Sequence, residues 1–316
     1  MAKTRKRKRS QSQEKLDKTI NKTKKQMKQD KSHTREKFKK MSCSPLSHTK
    51  SSVHDNTCYT SEGLVKIIEL WNLRHPDNKF TSNNPHEIWN FMKTQMENVC
   101  DNEMCWIRQK FAENDNKQLL EYFAPNAPTT WSKKPYEWLS SVDISKVMKQ
   151  YEKAYPNFKF IGPSPIDFDK RLHYDNCVWE ELCKFDLNKF IKRNINKIGI
   201  CFNTDPHDKG GSHWISLFID ITKKYLFYFD SNGMRAPREV KVLVDRIKEQ
   251  GRQLNIEFEY SDNSKMTHQK LDGQCGVYVL YVLVELLKES KTPEFFQTTR
   301  VEDKLMKDYR WIYFNI

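Results

Sequence analysis

The chain has 316 residues, of which 55 are Lys or Arg and 41 are Asp or Glu, and this length allows one large or two modest domains. Its most apolar segment, residues 277–287, is apolar at almost every position but too short to span a bilayer, and the basic N-terminus lacks the apolar segment of a secretory signal. We therefore expect no membrane partner.

The net charge of +14 is concentrated in the first 50 residues. Residues 1–50 contain 18 Lys and Arg against 4 Asp and Glu, whereas residues 51–316 contain 37 of each. Because the first segment has hardly any aromatic or branched residues, it cannot bury enough surface to fold alone. We predict a disordered basic tail over residues 1–50. Its densest part is a run of five basic residues: Arg5, Lys6, Arg7, Lys8 and Arg9.

Two interpretations of this tail remain open. A dense basic cluster is typical of an arm that binds nucleic acid without sequence specificity, or of an import signal. A charged segment can also be a solvated extension that keeps the protein soluble. The uninterrupted run Arg5–Arg9 favours the arm, so these five residues are candidate nucleic-acid contacts.

Residues 51–125 read as a helical region. A first helix is predicted behind the possible caps Thr60 and Ser61, with apolar residues at helical spacing up to Trp71. A second helix is predicted from Asn84, with Pro85 in its first turn. The stretch from 124 to 135 contains three prolines and is the best candidate boundary. A second domain is therefore predicted over residues 126–316.

The second domain alternates helices and strands, which predicts an α+β fold with a central mixed sheet flanked by helices. His213 precedes two apolar strands that are joined by a short turn, and such strands belong in the centre of a sheet. The segment 293–316 is expected to pack on the surface. The other predicted elements are a helix around 144–151, strands at 158–161, 197–203 and from 254, and a helix near 237.

The segment 272–289 is the most apolar part of the chain, so it predicts a helix in the middle of the domain. Cys275 lies where this helix begins, after Gly273, and the free amides of a helix N-terminus favour a thiolate. Most free cysteines are simply small buried residues. The position of Cys275 nevertheless makes it a candidate nucleophile.

The other cysteines show no regular framework, which predicts thiols that are kept reduced, as in the cytosol. Cys100 with Cys105, or Cys177 with Cys183, would be half-sites for zinc. Neither pair has the tight two-residue spacing or a matching second pair, so we expect no metal and no cofactor.

A cysteine nucleophile needs a base, and the base needs an acceptor on its other nitrogen. His213 begins one predicted strand and Asp230 ends the next one, 17 residues later. A short turn places the start of one strand beside the end of the other, so an imidazole and a carboxylate can meet there. Each residue alone also fits an ordinary loop or turn.

These residues resemble the cysteine peptidase family that includes the SUMO proteases and the adenovirus protease. The family pattern is matched by His213-Trp214, Asp230-Ser231, Gln269 and Cys275-Gly276. The segments CFNTDP, YFDSNG and THQKLDGQCG resemble most the polyprotein-processing proteinases of large cytoplasmic DNA viruses, African swine fever virus among them. The resemblance covers about residues 197–285 well and implies that residues 51–125 are an N-terminal arm domain. The third catalytic position can be Asn in that group, whereas this chain has Asp230.

The resemblance implies a role for each matching residue. Cys275 would attack the carbonyl, His213 would take and return the proton, and Asp230 would orient the imidazole. Gln269 and the backbone amide of Cys275 would hold the oxyanion, and Gln274, adjacent in sequence, is expected to matter much less. Trp214 would bind substrate beside the His, although a core aromatic at a strand start is almost as good an interpretation.

The implied function is a viral thiol endopeptidase that cleaves structural polyproteins after Gly-Gly during particle assembly. It would act in the host cytoplasm, at the virus factory, and in the virion. Three alternatives remain: a protease that removes a host ubiquitin-like modifier, an acetyltransferase with the same catalytic arrangement, and an inactive fold that binds nucleic acid. The last is disfavoured because every catalytic position is filled.

Overall fold

The structure is a computed structural model that describes residues 38–49, 57–113, 116–172, 174 and 176–315. Its N-terminal part is helical. The helices are α1 (Pro45–Thr49), α2 (Ser61–Arg74), α3 (Pro85–Met96), α4 (Glu103–Trp106) and α5 (Asn116–Leu120).

The two predicted helices of this part are confirmed, together with their caps. The Thr60 hydroxyl accepts a hydrogen bond from the Gly63 amide at 3.2 Å, and the Asn84 side chain accepts one from the His86 amide at 3.0 Å. Each cap satisfies an amide that has no partner within the helix. The apolar faces of α2 and α3 pack into a buried cluster of their own, built from residues 58–123.

Residues 38–49 are ordered, so the predicted disordered tail is wrong for this stretch. The Phe38 ring lies 5.9 Å from the Trp89 ring and 5.7 Å from the Trp106 ring, measured between centroids. The Ser42 amide donates to the Asn315 side chain, and the Ser42 carbonyl accepts from the Ala124 amide. The cluster Arg5–Arg9 lies outside the described residues.

The second part of the chain contains a five-stranded sheet and its flanking helices. The strands are β1 (Phe158–Pro165), β2 (Lys197–Asn203), β3 (Trp214–Asp220), β4 (Tyr225–Phe229) and β5 (Glu259–Asp262). The helices are α6 (Ser141–Ala154), α7 (Glu180–Cys183), α8 (Leu187–Lys192), α9 (Arg238–Gln253), α10 (Cys275–Leu287), α11 (Pro293–Thr298) and α12 (Asp303–Tyr313), after a 3₁₀ turn at Thr129–Ser132.

The sheet has the order β1-β2-β3-β4-β5 and is mixed. The outer pairs β1–β2 and β4–β5 are parallel, whereas β2–β3 and β3–β4 are antiparallel. The central strand β3 is buried at all seven positions, which explains why its sequence is apolar on both faces. The predicted α+β fold with a central mixed sheet, preceded by a helical region, is confirmed.

Helix α10 is the central helix of the domain. All 13 of its residues are buried, and it packs against β3, α6 and α12. Its apolar composition is therefore that of a core helix, as predicted. Within the described ranges, no helix combines the length and the hydrophobicity needed to cross a membrane.

The C-terminal segment differs from the prediction, because it does not lie on the surface. Helix α12 packs against α10 and buries Met306, Arg310 and Tyr313. Strand β5 also begins five residues later than the predicted start at Leu254. The amides of Leu254 and Ile256 both donate to the Gly251 carbonyl, so this stretch completes the end of α9.

The prediction that all cysteines are free thiols is wrong. The structure contains three disulfides. Two of them join the cysteines within each pair that was considered for zinc. The bonded pairs are Cys43–Cys58, Cys100–Cys105 and Cys177–Cys183. Each pair lies close in sequence, so irregular spacing did not prevent pairing. Cys201 and Cys275 are free and buried.

Candidate active site

Cys275 is the first residue of α10 and is 4% exposed. The turn before it requires a glycine: Gly273 has φ +84°, and a Cβ there would lie 2.7 Å from the Tyr136 carbonyl oxygen. Among the described residues, no side chain caps this end of α10, and its first turn contains no acidic residue. Its first amides can therefore stabilise a negative charge.

The structure brings His213 and Asp230 together at one edge of the sheet. His213 directly precedes β3 and Asp230 directly follows β4, and the imidazole Nε2 lies 2.7 Å from the Asp230 Oδ1. The Asp230 carboxylate is 4% exposed, and it also accepts a hydrogen bond from the Asn232 amide at 2.8 Å. This pairing leaves Nδ1 as the ring nitrogen available to Cys275.

The pKa of His213 is raised to about 9. Burial alone would lower this pKa, but hydrogen bonds to Asp230 and Cys275, and the charges of both, outweigh it. The imidazole therefore carries a proton at neutral pH, and a protonated imidazole stabilises a thiolate beside it. This arrangement suits a cysteine that acts as a nucleophile.

We expect Asp230→Asn to shift the alkaline limb of the kcat/KM profile to lower pH by about 1–3 units. If His213 gives its proton to the leaving amine, activity falls as this proton is lost, when the pH rises through about 9. Without the charge of Asp230, burial lowers the pKa of His213. A pH series on one peptide substrate measures the shift.

Asp205→Asn is the matched control, because Asp205 also lines the cleft beside the site and loses one negative charge in the same way. It should leave the alkaline limb in place. An equal shift in both variants would show that the pKa of His213 depends on the total negative charge near the cleft rather than on its hydrogen bond to Asp230.

Gln269 lies beside the same edge of the sheet. Its backbone amide donates to the Ser231 carbonyl at 2.9 Å, and its side-chain oxygen accepts from the Ser231 hydroxyl at 2.8 Å. Its side-chain nitrogen donates to the Leu271 carbonyl at 2.8 Å, which leaves the second hydrogen of that amide group. The neighbouring His268 is held by Phe296, and burial lowers its pKa to about 4, so it stays neutral.

Gln274 occupies a different environment, since its side chain is 1% exposed. Its side-chain oxygen accepts a hydrogen bond from the Arg310 Nε at 3.1 Å. Gln274 therefore belongs to the buried support of the nucleophile turn, and its side-chain oxygen points away from solvent.

A cleft of about 850 Å³ leads up to Ser212, the residue before His213. It is lined by Trp214, predicted from the sequence as a substrate contact, and by Trp138, which is 42% exposed. The Trp214 indole donates to the Leu139 carbonyl at 2.9 Å, which fixes the ring at the cleft wall. A cleft of this size can hold several residues of an extended peptide.

Sequence reasoning missed Trp138 and Arg310. Trp138 precedes the Ser140 cap of α6, so its sequence position indicates only the start of a helix. It reaches the site because Gly273 packs directly against it, with an ideal Cβ 3.2 Å from the Trp138 ring. Arg310 lies among aromatic residues of the last helix, and nothing in its local sequence distinguishes it.

The chain is similar to known proteases. Residues 144–315 match the Ulp1 protease family, C-terminal catalytic domain. A thiol protease of Acanthamoeba polyphaga mimivirus is 28% identical over 272 residues, which cover 78% of this chain and 84% of the relative. A SUMO-1 cysteine protease of African swine fever virus is 25% identical over 244 residues, or 73% of this chain and 88% of the relative.

The fold has also been solved in a related protein. A crystal structure of the African swine fever virus protease aligns with a TM-score of 0.62 and 20% identity, covering 88% of this chain and 97% of that chain. This likeness shows the shared fold. Since the family match spans more than half of the 316 residues, the chain belongs to the Ulp1 protease family, and it is a cysteine peptidase.

Proposed function

We propose that the protein is a thiol endopeptidase that cleaves viral structural or core polyprotein precursors after Gly-Gly during virion maturation. The observation that carries the proposal is the contact of His213 with Asp230 and Cys275, next to Ser212 and Trp214, which line the cleft. Its proposed places of action are the host cytoplasm, at the virus factory, and the virion.

Each residue of the site has a proposed role. The Cys275 thiolate attacks the carbonyl carbon of the scissile bond, and the carbonyl oxygen becomes an oxyanion. The amide of Cys275 and the free hydrogen of the Gln269 amide donate to that oxyanion. The His213 imidazolium gives its proton to the leaving amine, and Asp230 keeps the ring oriented. Water then hydrolyses the thioester with His213 as the base.

The preference for Gly-Gly is supported by the two tryptophans of the cleft. Trp138 and Trp214 both line it, and Ser212 links this wall directly to His213. Large flat rings beside a reacting carbonyl leave little room for side chains on the substrate, so glycines fit best. Trp214 is therefore proposed as a substrate contact, together with Trp138.

A second substrate class is a ubiquitin-like modifier of the host. One observation favours it: the African swine fever virus relative is named a SUMO-1 cysteine protease. The chemistry would be the same, and only the substrate would differ.

The deciding experiment compares cleavage of matched substrates by the purified protein and by its Cys275→Ala variant. Peptides from viral core precursors that contain Gly-Gly should be cut after the second glycine, and the same peptides with Gly-Val should not. SUMO fusions with Gly-Gly at the junction form the second arm. Faster cleavage of the fusions than of the precursors would replace the polyprotein proposal by deconjugation.

The basic tail is proposed to hold the enzyme near nucleic acid, and its removal gives a separate prediction. Residues 1–37 contain 15 Lys and Arg against 4 Asp and Glu, and they precede Phe38, the first residue that the structure describes. Deleting them should remove most binding to DNA or RNA, because binding of this kind depends on release of counterions. Cleavage of short peptides should be unchanged.

Filter binding at several salt concentrations, with full-length and truncated protein, tests this prediction. A full-length variant with Gln at all five positions of Arg5–Arg9 is the control that keeps the length of the tail. An unchanged salt slope in the truncated protein would contradict the arm hypothesis.

A further inference from the structure

Arg310 of α12 lies beneath the turn that carries the candidate nucleophile, and it is fully buried at 0% exposure. Its three guanidinium nitrogens each donate to a different acceptor. Nη2 lies 2.6 Å from the Gly273 carbonyl oxygen, Nε lies 3.1 Å from the Gln274 side-chain oxygen, and Nη1 lies 2.8 Å from the Glu137 carbonyl oxygen. The guanidinium thus ties the two residues before Cys275 to the segment that contains Trp138.

The acceptors of Arg310 are all neutral. A buried cation is usually paired with a carboxylate, since desolvation of an uncompensated charge is costly. No carboxylate of the described residues forms an ion pair with Arg310, and its guanidinium also lies over the Trp131 ring, 4.8 Å from the ring centroid. The Glu137 carboxylate instead accepts a hydrogen bond from the Thr130 hydroxyl.

The group that can balance this charge is the thiolate of Cys275, which follows directly after the two residues that Arg310 holds. We propose that Arg310 is a positioning residue: it fixes the Gly273–Gln274 turn so that the first amides of α10 face the reacting atoms, and its charge favours the thiolate form of Cys275. The proposal deepens the proposed function and rests on Cys275 being the nucleophile.

The protonation of Arg310 fits this role. Burial lowers the pKa of Arg310 to about 10, and its electrostatic interactions with Cys275 and Tyr136 oppose that decrease. The guanidinium therefore stays charged at neutral pH. The interaction is reciprocal, so an anion at Cys275 is stabilised by the same charge.

Several other ionisable groups face this region from the elements packed around it. His213, directly before β3, contacts Cys275 and is hydrogen-bonded to Asp230. Cys201 faces Cys275 from β2, and Tyr136 lies beside Arg310. Burial raises the pKa of Cys201 well above its usual value, so this thiol is neutral. Among the described residues named here, His213 and Arg310 are the positive groups proposed to act on the thiolate.

The test measures how fast iodoacetamide alkylates Cys275 in the full chain as a function of pH, with mass spectrometry to identify the labelled residue. In Arg310→Met, the midpoint of this curve should move to higher pH by about one unit, as expected for loss of a nearby opposite charge. In Arg310→Lys, which keeps the charge, the midpoint should stay near the wild-type value. Peptide cleavage by Arg310→Lys should nevertheless show a kcat reduced by about tenfold with little change in KM, because one ammonium cannot hold three divergent acceptors.

Met306→Ala is the matched control, since Met306 is a buried residue on the same helix one turn before Arg310. It weakens the packing of α12 but leaves the guanidinium in place, so the alkylation midpoint should not move. An equal shift in Met306→Ala and Arg310→Met would overturn the proposal, as would an unshifted midpoint in folded Arg310→Met. If Arg310→Met fails to fold, Arg310→Lys decides: wild-type kcat in that variant would overturn the positioning role.

Alkylation needs no substrate, so this test is separate from the choice of substrate. A shifted midpoint together with no cleavage of Gly-Gly peptides would support the role of Arg310 and contradict the proposed function. The reverse result, cleavage of these peptides with no shift and no loss of kcat in the Arg310 variants, would contradict only the role of Arg310.

Discussion

Cys275→Ala is expected to abolish peptide cleavage, with kcat reduced by about 10⁶-fold, as for other nucleophiles that act within a triad. Among the described residues, the thiol is the group proposed to form the covalent intermediate, since it lies at the start of α10 and within hydrogen-bonding contact of His213. In the proposed mechanism His213 and Asp230 act through the thiol, so their presence cannot compensate for its loss. Single-turnover and steady-state assays on one peptide measure the effect.

Selective alkylation of Cys275 is the companion result. Six other cysteines form disulfides, and Cys201 is 0% exposed on β2, so none of them competes as a reactive thiolate. Cys201→Ala is the control and should keep both activity and labelling. Activity retained in Cys275→Ala, or equal labelling of several cysteines, would remove the peptidase mechanism.

Gln269→Ala should lower kcat by about 10²–10³, roughly 3 kcal/mol, with KM little changed. In its proposed role the Gln269 amide acts on charge that appears only in the transition state, so its loss should affect turnover more than substrate binding. In the structure one hydrogen of this amide donates to Leu271, and the Ser231 hydroxyl holds its oxygen. The remaining hydrogen is the one proposed for the oxyanion.

The sequence predicted that Gln274→Ala would matter much less than Gln269→Ala, whereas the structure adds an expected loss of stability in this variant. This substitution removes the acceptor of the Arg310 Nε, and a buried charged donor without a partner costs about 1–3 kcal/mol of stability. Measurements of kcat and of the thermal unfolding midpoint distinguish the two variants. Gln269→Ala should keep its thermal unfolding midpoint and lose kcat, whereas Gln274→Ala should unfold at lower temperature.

Ser231→Ala serves as the control for orientation. It leaves the Gln269 amide in place but removes the hydroxyl that holds its oxygen, so kcat should fall by less than in Gln269→Ala. A near-normal kcat in Gln269→Ala would show that the backbone amides of α10 hold the oxyanion without it.

The local features of this protein were predictable because they depend on neighbours in sequence. Apolar spacing and caps such as Thr60 and Asn84 set the helices, and they act within one turn. The hairpin that brings His213 to Asp230 follows from a short turn between two apolar strands. The amide-rich start of α10 at Cys275 follows from Gly273 before an apolar run.

Other features were decided by contacts between residues distant in sequence. Arg310 reaches Gly273 across 37 positions, and Asn315 joins Ser42 across 273 positions, so no local pattern encodes either contact. The same reason explains the wrong predictions for residues 38–49 and for the C-terminal segment, whose apolar residues become buried only when α3 and α10 provide partners. Sequence alone thus determined which groups could react, whereas the tertiary structure decided what holds them in place, because burial and charge compensation depend on the whole fold.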